Sequence, residues 1–315
     1  MNYFTKDKPY NTLTEYNKQT YNAKVAKISL NAGLTCPNKD GTKGYGGCSY
    51  CSPSGSGDFA GNVNKSITSQ FLEIKKIMEQ KWPNILYMPY FQANSNTYGD
   101  INKLRELYLE AINVDKEKTI GISIATRADC LSDDVIALLD EINHITHVQI
   151  ELGLQSSNET TAIKINRGLS NNEFINAVEK LRSINIEVIV HIINGLPYET
   201  KDDMLNTIDF INSLDIQGIK FHSLLILKNT KIYEEYKNEQ FKILSLDEYI
   251  DIVVSQITRL RPDIIIHRLA ADGVLDDLIE PKWTTKKLVV MNNIDKFLRA
   301  NKLYQGIYYT KKMVL

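Results

Sequence analysis

Apolar positions recur along the chain with two spacings, one typical of buried strands and the other of amphipathic helices. Short apolar runs that predict strands cover residues 24–33, 84–92, 119–127, 147–156, 186–197, 218–227 and 263–271. Positions with helical spacing lie between or after these runs, at residues 67–82, 100–113, 132–143, 171–185, 201–214, 246–262 and 285–301. Such alternation of strand and helix is typical of right-handed βαβ units in a parallel sheet.

The character of the predicted strands narrows the fold class. Several are apolar on both faces, as expected where helices cover the outside and a packed interior lies within. We therefore predict an α/β fold, with a full or partial (β/α) barrel as first choice and a doubly wound open sheet as second. In a barrel, functional residues lie at the carboxyl ends of the strands. The segments that follow the first five predicted strands are therefore candidates for the site.

The composition is ordinary for a globular chain of 315 residues, with 43% hydrophobic residues, 24% charged residues and a formal net charge of −1. No apolar run approaches the roughly 18 residues of a bilayer-spanning helix, and the polar N-terminus lacks the apolar core of a signal peptide. Four cysteines in a chain of this length do not indicate a disulfide scaffold. These features predict a protein of the reducing cytoplasm with no membrane partner.

The near-zero net charge conceals two basic ends. Residues 1–27 carry five lysines against Asp7 and Glu15, and residues 281–315 carry eight basic residues against Asp295 alone. The ends therefore have net charges of +3 and +7, and the middle of the chain has −11. Basic ends on an acidic body suggest a polyanionic partner such as nucleic acid. The alternative is that these cations only solvate the outer face of a terminal helix.

Three of the four cysteines lie in one glycine-rich loop with the spacing C-x11-C-x2-C, at Cys36, Cys48 and Cys51. Three thiolates on one flexible loop can converge on a metal centre. Structural zinc usually has four protein ligands, whereas a [4Fe–4S] cluster with three thiolates leaves one iron free for a substrate or cofactor. The spacing favours the cluster and leaves zinc open. Cys130 stands apart, and we interpret it as a small buried hydrophobe rather than a fourth ligand or a radical-handling thiol.

With Tyr50 directly before the last cysteine, this loop resembles the cluster loop of the radical S-adenosylmethionine (SAM) enzymes. The usual spacing in that superfamily is C-x3-C-x2-C, and the longer gap resembles that of the YhcC/YtqA (MnmL-like) family, relatives of the Elongator catalytic subunit. Further segments match the same family, at residues 90–98, 126–131, 151–156, 165–168, 191–200, 221–230 and 267–273. The resemblance implies a [4Fe–4S] cluster that cleaves SAM reductively to a 5′-deoxyadenosyl radical.

The same resemblance implies a partial (β/α)6 TIM-like barrel with short N-terminal and C-terminal extensions. We expect the radical SAM core to span residues 1–280, including the cluster loop at 34–62. A basic helical extension would then cover residues 281–315.

Resemblance also implies where the cofactors bind. Cys36, Cys48 and Cys51 would ligate the cluster, and Tyr50 would present its backbone near the adenine of SAM. Gln92, with the polar run to Asn96 that includes Asn94, would meet the methionyl amino group. The turn at residues 195–197 would pack along the adenine, with Ile193 as a neighbour.

Alternation along the fourth predicted strand places Glu151, Gly153 and Gln155 on one face. A Glu and a Gln separated by Gly, on a strand that is otherwise apolar, suit an interior ligand site. Glu151 and Gln155 are therefore candidates for polar contacts with SAM, followed by Ser156.

Five cationic or proton-exchanging side chains lie on or at the ends of predicted strands: Arg127, His191, His222, His267 and Arg268. A single histidine in a strand is more often a structural residue than a catalyst. Together these five could bind a phosphate or carboxylate of the substrate.

What is known of the family implies a tRNA-modifying enzyme acting at the wobble uridine. The implied reaction converts 5-carboxymethylaminomethyl(-2-thio)uridine to 5-aminomethyl(-2-thio)uridine, before a separate methyltransferase acts on the product. The implied partners are tRNA and a reducing electron donor of the flavodoxin or ferredoxin type. Two alternatives remain open: a radical SAM enzyme acting on a small metabolite, and a non-catalytic zinc-binding protein.

Overall fold

Seven parallel strands stand side by side in the order in which they occur in the chain. The computed structural model describes residues 4–238, 240–273 and 275–310. The strands of this curled sheet are β1 Val25–Leu30, β2 Leu86–Phe91, β3 Gly121–Thr126, β4 His147–Gln155, β5 Glu187–Asn194, β6 Gly218–Ser223 and β8 Ile265–Arg268. Two short strands, β7 Ile226–Leu227 and β9 Leu278–Glu280, pair antiparallel beside it. The predicted partial barrel is confirmed, with a seventh strand beyond the six of the expected (β/α)6 unit.

Helices connect the strands and cover the outer face of the sheet. They are α1 Leu13–Tyr21, α2 Ile67–Lys81, α3 Ile101–Asn113, α4 Asp133–Ile145, α5 Glu159–Lys164, α6 Asn171–Ser183, α7 Lys201–Asn212, α8 Lys231–Lys237, α9 Leu246–Arg259 and α10 Lys287–Ala300. Side-chain caps define where several of them begin. The hydroxyl of Ser132 accepts a hydrogen bond from the backbone N–H of Val135, and Ser170 with Glu173 forms a reciprocal capping box.

The two faces of the sheet differ in character. On β4 the side chains of Val148, Ile150, Leu152 and Leu154 are fully buried in the core beneath the helices. The alternate positions of the same strand, among them Glu151, face the inside of the curl. Inner positions of the neighbouring strands include Lys27 on β1 and Lys220 on β6. These strands are therefore not among the several that are apolar on both faces, because their inner face lines a polar cavity, in keeping with the polar face predicted for the fourth strand.

The predicted strand at residues 218–227 is interrupted in the structure. β6 ends at Ser223, and the chain then leaves the sheet so that β7 pairs with β9. This change of direction buries Leu224 and Ile226 in a second apolar cluster, with Ile232 of α8. The short helices α1, α5 and α8 were not predicted from the spacing of apolar residues.

The two basic ends of the chain pack against one another. The phenol of Tyr10 donates a hydrogen bond to Asp295 of α10 at 2.7 Å, and the ammonium of Lys8 reaches the other oxygen of the same carboxylate at 2.6 Å. The guanidinium of Arg299 donates to the carbonyl of Asp7 at 2.6 Å. Residues 311–315 of the predicted C-terminal extension lie outside the described residues. In the described part of the chain, no helix is long and apolar enough to cross a membrane.

Candidate active site

A cavity of about 460 Å³ opens where the carboxyl ends of the strands meet the cysteine loop. The side chains of Cys36, Cys48 and Cys51 lie on one side of it, and we call these three residues the thiol wall. Residues of the strands from β1 to β8 line the remainder. Cys130 is buried near the wall but does not line the cavity, which agrees with its interpretation as a small buried side chain.

The eleven residues between Cys36 and Cys48 form a compact turn. The carbonyl of Cys36 accepts hydrogen bonds from the backbone N–H groups of Lys39 at 2.8 Å and Asp40 at 3.1 Å. Gly46 and Gly47 have φ values of 76° and 72°, a conformation that favours glycine. The loop thus doubles back, and Cys48 returns to the side of the cavity where Cys36 lies.

A second segment, about 120 residues further along the chain, anchors this loop. A short turn between neighbouring elements does not span so long a separation, so the contact is a tertiary one. The side-chain amide of Asn38 donates to the carbonyl of Asn166 at 2.7 Å and lies 3.6 Å from the sulfur of Cys48. The amide of Asn166 donates in return to the carbonyl of Gly47 at 2.8 Å. The segment at residues 165–168, which matched the family by sequence, therefore serves as a brace for the cysteine loop.

The donor set of the thiol wall fits a cluster held by three thiolates. Burial raises the pKa of the Cys51 thiol to about 11, although the ammonium of Lys39 opposes this. The thiolate form therefore needs a further positive partner, which a bound metal cluster provides. In the described part of the chain no three His, Cys, Asp or Glu side chains are gathered around the position of one metal ion. Arg127 also lines the cavity and holds Asp129 at 2.8 Å.

Six of the seven predicted SAM-contacting residues line this cavity: Tyr50, Gln92, Asn94, Glu151, Gln155 and Ile193. The amide of Gln92 donates to the carbonyl of Ser56 at 2.8 Å, and Asn94 bonds the carbonyl of Leu34 at 2.9 Å. Gln155 has a φ of 66° beside an irregularity in the pairing of β4 with β5. These contacts tie the ends of β2 and β4 to the cavity. SAM contact by these six residues stays a prediction.

Ser156, the seventh, faces away from the cavity. Its hydroxyl donates to the carboxylate of Glu199 and accepts from the backbone N–H of Asn158 at 3.0 Å. One residue further along a strand reverses the direction of the side chain, so Ser156 points opposite to Gln155. Its role is to hold the turn after β4 rather than to line the cavity.

Glu151 lies deep in the cavity and is 1% exposed. Its carboxylate accepts hydrogen bonds from Lys27, from Lys220, from Ser123 at 3.1 Å and from Nε2 of His191 at 2.7 Å. Although burial raises the pKa of Glu151, the charges of Lys220 and Lys27 outweigh that effect and hold it well below its usual range. Since four donors already occupy this carboxylate, Glu151 organises the surrounding cations.

Glu151 and the polar side chains around it line one part of the cavity. We call these residues the cavity floor: Tyr90, Glu151, His191, Lys220, His222 and Arg268. The ammonium groups of Lys27 and Lys220 each lie 4.8 Å from the centre of the Tyr90 ring, a cation–π distance. Burial, reinforced by the charge of Lys220, lowers the pKa of His191 to about 4. His191 is therefore neutral at pH 7 and donates its Nε2–H to Glu151.

Four of the five predicted substrate-binding residues line the cavity, and one does not. Arg127, His191, His222 and Arg268 line the cavity, whereas His267 does not. The pairing of β6 with β8 shifts between Ile219 and Lys220, so that Lys220 is opposite Arg268 and His267 is the extra residue. The ring of His267 instead packs against Gly218 at the start of β6, where a Cβ atom would overlap it.

Sequence reasoning missed four contributors to this site: Lys27, Tyr90, Arg167 and Lys220. Lysines at inward positions of otherwise apolar strands were an available signal for two of them. Arg167 is 1% exposed and donates to the backbone carbonyls of Leu154, Ser156 and Leu169 at 2.6–3.0 Å. It thereby joins the end of β4 to the brace of the cysteine loop.

A curled parallel half-barrel with three loop thiols above a polar cavity defines the class of radical SAM enzymes. The family model of the Radical SAM superfamily matches residues 38–211, and that of the Radical_SAM C-terminal domain matches residues 216–300. The chain is 41% identical to the protein YtqA of Bacillus subtilis (strain 168) over 309 residues, 98% of this chain and 95% of YtqA. It is 30% identical to YhcC of Escherichia coli (strain K12), covering 89% of each chain.

The chain belongs to the YhcC/YtqA family of radical SAM enzymes, and its cofactors are a [4Fe–4S] cluster and SAM. Among solved structures it is similar to the archaeal Methanocaldococcus infernus Elp3 with an N-terminal deletion, with a TM-score of 0.69 and 16% identity. That alignment covers 92% of this chain and 68% of Elp3, and it supports the partial-barrel fold.

Proposed function

We propose that this enzyme modifies tRNA at the wobble uridine, converting 5-carboxymethylaminomethyl(-2-thio)uridine to 5-aminomethyl(-2-thio)uridine. The observation that carries the proposal is that one cavity is lined both by the thiol wall and by the cations of the cavity floor. A nucleobase whose arm ends in a carboxylate matches this pairing of a radical source with positive charge. The resemblance to the YhcC/YtqA family implies the same substrate.

The protein's own residues would bind and orient the reactants. Cys36, Cys48 and Cys51 would hold the cluster, while Gln92 and Asn94 at the end of β2 would present polar atoms to SAM. When bound, the reduced cluster and SAM would supply a 5′-deoxyadenosyl radical that abstracts a hydrogen atom from the carbon between the amine and the carboxylate of the substituent. Loss of one further electron, to the oxidised form of the flavodoxin or ferredoxin type carrier, would give an imine. Hydrolysis of its C=N bond would leave the aminomethyl arm and release the carboxymethyl carbons as a two-carbon aldehyde acid. The cavity walls would exclude water, which protects a reactive radical from side reactions.

The basic ends support a nucleic-acid partner. Because Tyr10 and Lys8 bond to Asp295 of α10, the described parts of the N-terminal and C-terminal basic segments meet there. Exposed cations of the C-terminal segment include Lys296, Arg299 and Lys302. We expect them to contact tRNA phosphates, in addition to the wobble nucleotide in the cavity.

Three further features belong to the proposal. The enzyme would act in the cytoplasm and take electrons from a flavodoxin or ferredoxin type donor. Its product carries a primary amine, which a separate tRNA methyltransferase would consume. The core at residues 1–280 and the basic extension at 281–315 would act together on one substrate.

The test is nucleoside analysis of tRNA from cells lacking the gene. We expect 5-carboxymethylaminomethyluridine to accumulate and 5-aminomethyl derivatives to disappear. An unchanged wobble-uridine profile would contradict the proposed reaction. A titration of the purified protein with tRNA at two salt concentrations provides the second arm, because phosphate contacts weaken as salt increases. No affinity, or affinity without a salt dependence, would instead favour a small-metabolite substrate.

A further inference from the structure

The cavity floor carries more positive than negative charge. Around it, four cationic side chains share two carboxylates: Lys27 and Lys220 contact Glu151, while Arg268 and Lys287 contact Asp272. The Lys287–Asp272 distance is 2.7 Å and the Arg268–Asp272 distance is 3.7 Å. Asp272 is thus closer to Lys287, and the charge of Arg268 is only partly balanced. An anion bound in the cavity beside Arg268 would balance this charge.

Arg268 is available to such an anion. Its side chain is 32% exposed and lines the cavity, whereas Lys220 beside it is 6% exposed. The pairing of β6 with β8 sets Lys220 opposite Arg268, so both cations face the same part of the cavity. Burial lowers the pKa of Lys220, and the charges of Lys27 and Arg268 act in the same direction. An anion bound here would favour the charged form of Lys220.

One hydrogen-bonding atom of the cavity floor, Nε2 of His222, has no partner among the described residues. The rings of His191 and His222 stack with centroids 5.2 Å apart. Among the described residues, no group hydrogen-bonds to the buried Nε2 of His222. Burial holds the pKa of His222 well below its usual range, so this ring is neutral and can donate one N–H. An unpaired polar atom in a cavity is expected to meet a ligand or water.

We propose that the cavity floor binds the carboxylate at the end of the substrate's 5-substituent, held by Arg268 and Lys220 with a hydrogen bond from His222. A guanidinium matches the planar geometry of a carboxylate. A backbone phosphate of tRNA is a less suitable occupant, because two flanking riboses keep it from entering a cavity among the strands. A terminal carboxylate on a flexible arm has no such restriction.

This inference rests on the proposed function, since it names the group by which that substrate is recognised. It goes further because it assigns recognition of the substrate's arm to the cavity floor and not to the basic ends of the chain. The floor would then distinguish the carboxymethylaminomethyl arm from the aminomethyl product, which has no carboxylate. Release of product would follow from the loss of that ion pair.

The experiment measures binding to anaerobically reconstituted enzyme with SAM and no reductant. The probes are anticodon stem-loops that differ only in the wobble arm, one with the carboxylate and one with its uncharged amide. We expect the wild-type protein to bind the acid about tenfold more tightly, as a charge-assisted hydrogen bond allows. Arg268→Met should lose this preference and Arg268→Lys should retain part of it. Arg105→Met is the matched control, because Arg105 is 34% exposed and pairs with one carboxylate outside the cavity.

Two results would overturn the inference: equal affinity of the wild type for acid and amide, or a preference that survives Arg268→Met. If no stem-loop binds, the proposed tRNA function fails, and the free nucleosides with the same two arms then decide the question. A preference for the acid nucleoside that depends on Arg268 would uphold the carboxylate site with a smaller substrate. Equal binding, or binding of neither nucleoside, would refute it.

Discussion

The side-chain amide of Asn38 donates a hydrogen bond to the backbone carbonyl of Asn166, at 2.7 Å and across 128 residues of sequence. Asn166 in turn donates to the carbonyl of Gly47, the residue directly before Cys48. These reciprocal bonds hold the cysteine loop against the segment that follows α5. The position of Cys48 therefore depends on a part of the chain that carries no cluster ligand.

Asn38→Ala removes the first of these bonds and leaves the thiols in place. We expect a folded protein that loses its cluster about fivefold faster on exposure to a chelator, since one hydrogen bond contributes about 1 kcal/mol. The measurement is the decay of visible absorbance together with iron content. Asn113→Ala is the control, because Asn113 makes a comparable side-chain bond to Leu109 at 2.8 Å on an exposed helix. Equal rates for both variants would count against the brace.

Cys48→Ala and Cys130→Ala should behave differently. The first removes a residue of the thiol wall and should abolish both the brown colour and SAM cleavage. The second truncates a buried side chain that does not line the cavity. It should keep colour and SAM cleavage and cost about 1–2 kcal/mol of stability through lost packing. Loss of the cluster in Cys130→Ala would show that this thiol has a role in cluster binding.

Arg167→Met should be strongly destabilising, although Arg167 ligates nothing. The substitution leaves the carbonyls of Ser156 and Leu169 without this donor, while the carbonyl of Leu154 keeps a hydrogen bond from the backbone N–H of Ser156. We expect a loss of about 3–5 kcal/mol in the free energy of unfolding, since each buried unpaired group costs about 1–3 kcal/mol. Urea denaturation measures it. The exposed pair of Arg105 with Glu141 gives the comparison, because Arg105→Met breaks only a surface ion pair and should change the stability far less.

Glu199 should make stability depend on pH. Burial raises the pKa of Glu199 to about 7, with Asp203 adding to the effect and Ser156 opposing it. The folded protein therefore holds a proton that the unfolded chain releases at lower pH, and stability falls as pH increases toward 7. Glu199→Gln should abolish this decline and gain about 1–2 kcal/mol at pH 8, discounted for partial exposure.

Denaturation across about pH 2–8 tests this difference, because the range includes the usual glutamate pKa, the raised pKa of Glu199 and the lowered pKa of Glu248. Glu248→Gln is the opposite case, because the backbone N–H of Ser245 and the ammonium of Lys242 lower the pKa of Glu248. That variant should lose stability above the usual glutamate pKa and match the wild type in acid. The same pH profile for wild type and Glu199→Gln would refute a raised pKa of Glu199.

Much of the fold followed from the spacing of apolar residues. Alternation along β4 separates the buried Val148 and Ile150 from the inward Glu151, and the structure confirms that separation. Side chains on one strand alternate by simple geometry, so no tertiary information is needed. The break after Ser223 was missed because the apolar run continues unchanged into β7. Only the pairing with β9 and the second apolar cluster reveal the turn.

Less of the candidate site could be predicted from the sequence. The three loop cysteines could be predicted to share one centre because they lie within 16 consecutive positions, residues 36–51, and in the structure all three line one cavity. The ion pairs of Glu151 could not be predicted from the sequence, since its partners Lys27 and Lys220 are 124 and 69 residues away. The sequence also did not show which of the two adjacent residues on β8, His267 or Arg268, faces the cavity. A shift in the pairing of β6 and β8 selects Arg268 over His267.

The sequence by itself determined the alternation of strands and helices, the cluster loop and the family, because each depends on residues close together or on the order of matched segments. The tertiary structure decided the cavity floor, the brace between Asn38 and Asn166, and the place of Arg167. Those features join side chains from distant strands and loops. The curl of the sheet and the alignment of its strands bring them together, and neither property is a local one.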